Sequence, residues 1–388
     1  MKIAILGREA NLALAELETR GKELVKHGTW ACSFEPRNLP ASVDDFGSIV
    51  KIGEILSDRL MATDSEKIAE TIAESLVKFG KRKISFGLSI YGSSAFTRQV
   101  DRRLAFNIKK RLQVAVGVPV RYIAAKSGFE LNSAQVTHNS LISRGGDFLL
   151  VQSGKQLVVA RTISVQNIES FAHRDYGRPC RPAKVGMLPP KLAKTMINLA
   201  DAGSGVGIID PFCGSGTVLQ EALLMGYDTC GSDNSAQMIS CSQKNLDWLQ
   251  REYKVENFFE VGLQDAARFK LGSTIKNYAV VTEGYLGQPF SAAPSTARLA
   301  TLQSELIRLY LGFLNNLLSQ TNLPKSAVMC LPFWRTNSGY NDLKVIDQIE
   351  KLGYTVRQFQ SVDSSQLRYQ RPNQIVGRQV LVLKPNRG

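Results

Sequence analysis

One carboxylate and two glycines lie close together between residues 208 and 217. Two β-branched isoleucines precede Asp210, which therefore ends a predicted strand. Gly214 and Gly216 follow in a short loop, and because glycine has no Cβ atom the backbone there can approach a ligand closely. Residues 218–224 then have a helix-forming composition. This order predicts a small-molecule site at the carboxyl end of a parallel sheet.

Two classes of cofactor compete for such a loop. The dinucleotide pattern G-x-G-x-x-G requires a third glycine where this chain has Leu219. The carboxylate of Asp210 would also repel a pyrophosphate at the turn. The same carboxylate suits S-adenosyl-L-methionine (SAM), which carries an amino group and a sulfonium, so we expect Asp210 to bind SAM directly or through water. A dinucleotide site and a purely structural turn are the alternatives.

Further carboxylates end the next two predicted strands. Asp233 lies about 20 residues after the glycines, where a carboxylate can accept both ribose hydroxyls. Asp265 could accept the adenine amino group, although either aspartate could instead be a helix N-cap. The predicted SAM-binding residues are Asp210, Phe212, Gly214, Ser215, Gly216, Thr217, Asp233, Asn234, Asp265 and Ala266.

Composition restricts the class of protein. The 388 residues are enough for two or three domains, and the formal net charge of +14 attracts polyanions, most commonly nucleic acid. No apolar run is long enough to span a bilayer, and the start of the chain has no signal-peptide pattern, so we expect a cytoplasmic protein. The six cysteines form no C-x-x-C pair and there are only three histidines, which predicts reduced thiols, no disulfide and no metal site.

Basic residues are concentrated in a stretch that contains few acids. Leu104, Ile108 and Leu112 recur every four residues and predict the buried face of a helix. The charges beside them indicate either a solvated helix face or a phosphate-binding surface, and the scarcity of acids favours phosphate contacts. The predicted RNA-binding residues are Lys81, Arg82, Lys83, Arg98, Arg102, Arg103, Lys109, Lys110, Arg174 and Arg178.

The hydrophobic pattern divides the chain. Residues 1–60 and 61–170 each indicate an α+β unit, and residues 171–188 have no period and indicate a basic linker. This linker is either a joint that touches RNA or closes over the cofactor, or a solvated tether. In residues 189–388, strand and helix patterns alternate, which predicts an α/β fold with a doubly wound, Rossmann-like sheet. Its predicted strands are 207–210, 227–232, 257–262, 278–282, 326–332, 354–360 and 377–384, and its clearest helix is 297–319.

Several segments resemble the THUMP-containing RNA methyltransferases. They are LNSAQVTHNSL at 131–141, TISVQNIE at 162–169, RDYGRP at 174–179, GMLPPKLA at 186–193 and NLA at 198–200, and the block from 174 to 217 is the most specific. The resemblance implies a ferredoxin-like domain at 1–60 and a THUMP domain at 61–170 that together grip a tRNA, often through its 3′ end. It also implies that the SAM-dependent domain methylates a guanine exocyclic N2.

The motif at the end of the fourth predicted strand, in the second half of the chain, differs from the motif of the family that the chain resembles. Amino-group methyltransferases have Asp/Asn-Pro-Pro-Tyr/Phe there, whose oxygens accept hydrogen bonds from the base amine while the ring stacks on the base. This chain has Thr-Glu-Gly-Tyr-Leu at 282–286. We expect Glu283 to be the orienting acceptor and Tyr285 the stacking ring, although direct alignment puts Leu286 in that place. Gly284 replaces a proline and is expected to loosen the turn.

Two functional hypotheses therefore follow from the sequence. The leading one is SAM-dependent methylation of a base amine in tRNA, with ribosomal RNA as the alternative substrate. The other is a catalytically inactive or impaired SAM- and RNA-binding protein of the same fold, which the missing prolines favour. The glycine loop and the carboxylates at 233 and 265 speak against it, because a pure RNA binder does not need them. Oligomeric state and any accessory protein are left open.

Overall fold

The computed structural model describes residues 1–38, 41–77, 79, 83–100, 102–182, 186–272, 274–290, 292–337 and 339–386, with the side chains of residues 99 and 102 excepted. The chain divides into two compact units, Met1–Glu169 and Ser170–Gly388. Within the described ranges, none of the helices combines the length and the apolar character that a bilayer crossing requires.

The first unit is a mixed β-sheet with helices. Its strands are β1 (Lys2–Leu6), β2 (Gly21–His27), β3 (Ala31–Pro36), β4 (Ile49–Met61), β5 (Ile84–Tyr91), β6 (Val120–Ile123), β7 (Gly145–Ser153) and β8 (Gln156–Val165). Its helices are α1 (Ala10–Arg20), α2 (Ser65–Val77), α3 (Ser94–Gln99), α4 (Arg102–Val116), α5 (Ser133–His138) and α6 (Leu141–Arg144). The strand order is β2-β3-β1-β4-β8-β7-β5-β6.

The boundary expected between residues 60 and 61 falls inside β4. This strand pairs with β1 on one side and with β8 on the other, so the sheet continues across the predicted boundary. The second half of β4 contains Ser57, Asp58 and Arg59, and this polar segment interrupts the hydrophobic alternation before the strand ends. The sheet therefore has no break at residues 60 and 61, and the division of this half into two domains stays a prediction.

Helix α4 has the buried face that its sequence predicts. Leu104, Ile108 and Leu112 are at most 3% exposed and pack with residues of α2 and β5 in one hydrophobic cluster. The basic side chains Arg103 and Lys110 are exposed on the same helix. The spacing of the leucines and isoleucine thus separates the core of this unit from a positively charged surface.

The second unit contains the predicted α/β sheet. Its strands are β9 (Gly207–Asp210), β10 (Thr229–Asp233), β11 (Phe259–Leu263), β12 (Tyr278–Thr282), β13 (Ala327–Thr336), β14 (Gly339–Asp342), β15 (Tyr354–Val356), β16 (Arg368–Tyr369) and β17 (Val376–Pro385). Its helices are α7 (Ile168–Tyr176), α8 (Pro190–Ala200), α9 (Thr217–Leu224), α10 (Ala236–Tyr253), α11 (Thr296–Leu318) and α12 (Ile346–Leu352). The expected linker at 171–188 therefore begins as a helix.

The strand order in this unit is β11-β10-β9-β12-β13-β17-β15. The first five strands are parallel, and β17 is antiparallel to both β13 and β15. From β9 the chain builds the sheet outward through β10 and β11, and then returns to add β12 on the other side of β9. This reversal is a topological switch point, the place where open α/β sheets bind ligands at the carboxyl ends of their strands.

A disulfide bond joins Cys180 to Cys241 of α10. The expectation that all thiols are reduced was therefore wrong for this pair, while Cys32, Cys213, Cys230 and Cys330 are free. The two bonded cysteines are 61 residues apart in the sequence. Their spacing consequently carried no recognisable pattern.

Candidate functional site

The glycine loop lies at the carboxyl end of β9, the central strand at the switch point. Gly214 and Gly216 have positive φ angles of 50° and 82°, a backbone conformation that favours glycine. A Cβ atom on Gly216 would lie 2.5 Å from the hydroxyl oxygen of Ser242, so α9 and α10 pack closely there because this residue is glycine. A Cβ atom on Gly214 would meet nothing within 4 Å, which leaves open space above the loop.

Asp210 is a buried carboxylate at the edge of this space. It is 2% exposed, and its Oδ1 accepts a hydrogen bond of 3.0 Å from the backbone amide of Phe212. Burial raises the pKa of Asp210 to about 7, against hydrogen bonds from the Thr282 hydroxyl and that amide. The negative charges of two neighbouring carboxylates, Asp233 and Glu283, raise this pKa further. Among the described residues no basic side chain forms an ion pair with Asp210.

Asp233 and Asp265 both bind backbone amides. The Oδ2 atom of Asp233 accepts a hydrogen bond of 3.0 Å from Gly214, and its Oδ1 atom accepts one of 2.9 Å from Ser235. Asp233 thus ties the end of β10 to the glycine loop. Asp265 caps a short 3-10 helix, Ala266–Arg268, through a 2.9 Å bond from the Ala267 amide to its Oδ1. The capping role considered for Asp265 is therefore present in the structure.

A cavity at the switch point gathers part of the predicted set. Of the residues named from the sequence, it is lined by Asp210, Phe212, Gly214, Ser215, Thr217 and Glu283. Gly216, Asp233, Asn234, Asp265 and Ala266 do not line it. Asn234 is exposed, and the buried side chain of Ala266 packs in the hydrophobic core. The residues that follow β9 and β12 thus meet at one cavity, whereas the predicted residues at the ends of β10 and β11 do not line it.

The segment before α8 also lines this cavity, although none of its residues is in the predicted SAM-binding set. Pro182, Gly186, Met187 and Leu188 contribute to its wall. Arg178 holds this segment, since its guanidinium donates to the Thr217 hydroxyl at 2.7 Å and to the Met187 sulfur at 3.1 Å. The GMLPP sequence has no periodic pattern that marks it as part of a ligand site.

Asn245 of α10 joins the same segment to the glycine loop. Its side-chain amide donates to the carbonyl oxygens of Cys180 and Ser215, and its Oδ1 accepts from the Cys180 amide at 2.9 Å. The disulfide bond lies beside these contacts. The cavity wall is therefore fastened to α10 by a covalent bond and by hydrogen bonds.

Arg174 and Arg178 differ from the prediction, which assigned them to RNA. They are 5% and 3% exposed, so their guanidinium groups are withdrawn from solvent. Arg174 forms two hydrogen bonds with the carboxylate of Glu221, at 2.5 and 3.1 Å, and Arg178 binds the Thr217 hydroxyl. Their role as direct phosphate contacts is corrected: both arginines hold parts of the second unit together. The sequence showed their charge but not the buried partner on α9.

The other predicted RNA-binding residues belong to the first unit. Lys81, Arg82 and the side chain of Arg102 lie outside the described residues. Lys83, Arg98, Arg103 and Lys110 are exposed, and Lys109 is half-buried. The Nε atom of Arg98 donates to the Ser94 carbonyl at 3.0 Å. The exposed members are free of carboxylate partners among the described residues, so they present positive charge to solvent.

Glu283 and Tyr285 lie in the loop after β12. Glu283 forms an ion pair with Arg378 of β17, in which the Nε of the arginine donates to Oε1 of the glutamate. Tyr285 is 45% exposed, and its backbone carbonyl accepts a 2.6 Å hydrogen bond from the hydroxyl of Tyr310. A second cavity, lined by residues 284–290 and 373–376, begins at Glu283. The predicted acceptor thus stands at the border of two cavities.

Gly284 stands where the related motif has proline, but its backbone conformation is not one that proline adopts. Its φ angle is +73°, whereas the proline ring fixes φ near −65°, so proline cannot occupy this backbone conformation. The loop is held instead by the hydrogen bond from Tyr310 and by the ion pair with Arg378. The sequence did not reveal these two partners, and the expected loosening of the turn stays a prediction.

Comparisons with known proteins agree with this geometry. Residues 178–316 match the UPF0020 family, described as an RMKL-like methyltransferase domain. The second unit has the methyltransferase fold. A crystal structure of TrmN from Thermus thermophilus superposes with a TM-score of 0.54, covers 99% of both chains and is 17% identical in sequence. This likeness supports the fold of the whole chain.

Two curated relatives are similar to this chain in sequence. The tRNA (guanine(10)-N2)-dimethyltransferase of Methanothermobacter thermautotrophicus is 32% identical over 177 residues, which is 45% of this chain and 47% of that enzyme. The enzyme of the same name from Pyrococcus abyssi is 27% identical over 270 residues, 68% of this chain and 72% of that enzyme. The chain thus spans about half the length of the first relative and more of the second.

The conformation of Gly284 generates a stability prediction. We expect Gly284→Pro to lower the free energy of unfolding by more than about 1 kcal/mol, because proline cannot adopt a positive φ angle. Gly284→Ala should cost less, although its Cβ would lie 3.1 Å from the Tyr310 ring. Chemical unfolding of the three proteins measures this order. A proline variant as stable as the parent would show that the turn has the proline-compatible conformation.

Proposed function

We propose that this chain is a SAM-dependent RNA methyltransferase that methylates the exocyclic N2 of a guanine in tRNA. One observation carries the proposal: a buried carboxylate that pairs with no described basic side chain, an open glycine loop and a fixed acceptor carboxylate meet at the switch point of a methyltransferase fold. Both curated relatives are named for methyl transfer to guanine N2 in tRNA. The relatives therefore support the substrate, and the site geometry supports the reaction.

The residues present fit the chemistry of SAM. The buried charge of Asp210 suits a cationic ligand, because an ionised carboxylate in the interior is stabilised by an opposite charge. The open space above Gly214 lets a ligand approach the backbone. The oxygens of Asp233 and Asp265 that accept hydrogen bonds from backbone amides each accept one such bond. Because a carboxylate oxygen has more than one lone pair, Asp233 could still accept from ribose hydroxyls and Asp265 from an adenine amino group. When bound, SAM supplies an electrophilic methyl group.

Glu283 and Tyr285 would act on the guanine. The guanine amine is a poor nucleophile because its lone pair is delocalised into the ring. A hydrogen bond from the amine to Glu283 would fix its orientation, and the carboxylate would stabilise the positive charge that develops on nitrogen. The exposed ring of Tyr285 is available to stack on the base. The second cavity beside these residues is where the base would enter.

The first unit would hold the RNA. We infer that residues 1–169 contain the ferredoxin-like and THUMP elements that the sequence resemblance implies. Lys83, Arg98, Arg103 and Lys110 present positive charge on its surface, and the chain as a whole carries +14. Such contacts provide affinity and register on the RNA, whereas the cavity beside Glu283 provides the choice of base.

The RNA surface is tested by a double substitution on α4. We expect Arg103→Ala with Lys110→Ala to weaken tRNA binding and to reduce the slope of log affinity against log salt by about 1.4, because each lost phosphate contact removes about 0.7 on a single strand. Binding measured by fluorescence over a range of salt concentrations gives the slope. The matched control is Lys155→Ala, an exposed lysine in the turn between β7 and β8. An unchanged slope in the double variant would contradict this surface.

Methyl transfer from labelled SAM to unmodified bulk tRNA tests the function itself. We expect label in N2-methylguanosine after nucleoside analysis, and a loss of about 100-fold or more in the rate with Glu283→Gln, whose amide is a weaker acceptor for the amine. Label in another nucleoside would retain the reaction and reject guanine N2. Label found only with ribosomal RNA would reject tRNA as the substrate. No label with any RNA, in a chain that binds SAM and tRNA, would reject the catalytic function.

A further inference from the structure

The last strand of the sheet places a buried arginine next to the reaction site. Arg378 lies in β17, opposite Pro332 of β13 on one side and Tyr369 of β16 on the other. It is 4% exposed, and its guanidinium lies over the ring of Tyr369, 5.9 Å from the centroid. Paired strands on both sides and close packing hold it in place. A guanidinium this deeply buried is stabilised by a carboxylate partner.

That partner is Glu283. The Nε of Arg378 donates to Oε1 of Glu283, and among the described residues no other carboxylate forms an ion pair with this guanidinium. Burial opposes the charge on Arg378, but the nearby carboxylate more than compensates, so its pKa is raised. The pair is therefore an ionic contact between a rigid strand and the loop that carries the predicted acceptor.

The ion pair leaves part of the carboxylate available. An ionised carboxylate has two acceptor oxygens, and Arg378 engages Oε1. Within the described part of the chain, no other hydrogen bond reaches Glu283. The residue lines both the glycine-loop cavity and the cavity of residues 284–290 and 373–376. Its remaining oxygen is thus at the border where a methyl donor and a base amine would meet.

Tyr310 of α11 fixes the other end of the same turn. The side chain is fully buried, and its hydroxyl donates to the Tyr285 carbonyl at 2.6 Å. The Gly284 amide donates to the Thr282 hydroxyl at 3.3 Å. The turn after β12 is therefore anchored from α11 and from β17, whereas a Pro-Pro turn is stiffened by its own rings.

We propose that Arg378 is the positioning residue for Glu283, holding one carboxylate oxygen so that the other accepts a hydrogen bond from the base amine. This inference rests on the proposed function. In the Asp/Asn-Pro-Pro-Tyr/Phe turn, two prolines hold the turn rigid. In this chain, contacts from β17 and α11 would hold it instead. The chain can therefore carry glycine at 284 and retain a defined acceptor geometry.

The test compares Arg378→Met, Arg378→Lys, Glu283→Gln and the double variant with the parent in methyl transfer to tRNA. We expect Arg378→Met to lower kcat about 100-fold, as for a catalytic group displaced by about an ångström, with little change in the KM for SAM. Lysine keeps the charge without the Nε donor, so it should recover part of the loss. In the Glu283→Gln background, Arg378→Met should have almost no further effect on kcat.

A matched control removes an arginine ion pair from the neighbouring strand. Arg368 of β16 binds the carboxylate of Asp342 at 2.7 Å and lines neither cavity. Arg368→Met should therefore leave kcat close to the parent value. If Arg368→Met lost as much kcat as Arg378→Met, both losses would reflect general damage to this edge of the sheet. That result would overturn the inference.

Other outcomes separate the inference from the function on which it rests. If the parent transfers methyl groups and Arg378→Met retains its kcat, the positioning role alone is overturned. If Arg378→Met does not fold, the double variant decides, because it removes both charges of the buried pair. A kcat of the double variant equal to that of Glu283→Gln supports the inference, and an independent, additive loss overturns it. A parent chain that transfers no methyl group overturns the proposed function and this inference with it.

Discussion

The charge of Asp210 inside the second unit is the constraint on which the site depends. The preceding residues of β9, Ile208 and Ile209, are fully buried, so the strand brings its carboxylate to a place with little water. Burial raises the pKa of Asp210 to about 7, and no described basic side chain pairs with it. Such a group is stabilised either by a proton or by a cation. The site therefore fits a ligand that brings positive charge of its own.

The two neighbouring carboxylates are held by partners of their own. Asp233 accepts hydrogen bonds from the backbone of the glycine loop and of the residue that starts α10. Glu283 pairs with the buried Arg378. Three acids from neighbouring strand ends can thus stay close together although their charges repel, because two of them are compensated by the protein. One carboxylate is left for the ligand, and one is held beside the place where the base would enter.

Local patterns in the sequence predicted the elements, and long-range partners decided the details. The strand from 207 to 210, the glycine loop and the buried face of α4 follow from residue type and spacing, because each depends on neighbours in the chain. The burial of Arg174 depends on Glu221, and the Cys180 bond depends on α10, so neither was visible in a local pattern. The boundary predicted at residue 60 falls inside β4, whose outer half is polar. The sequence pattern thus predicted elements that depend on contacts between chain neighbours. It did not predict the partners that distant residues supply.

Counting the protons released when SAM binds tests the central claim, that Asp210 is the charge that receives the cofactor. Calorimetry at about pH 6, in buffers of different ionisation enthalpy, gives this number. A carboxyl with a pKa of about 7 is mostly protonated there, so the parent should release most of one proton per SAM, and the release should decline as pH rises through 7. Asp210→Asn should release none at pH 6 and bind SAM more weakly. Equal proton release by parent and variant would contradict the account.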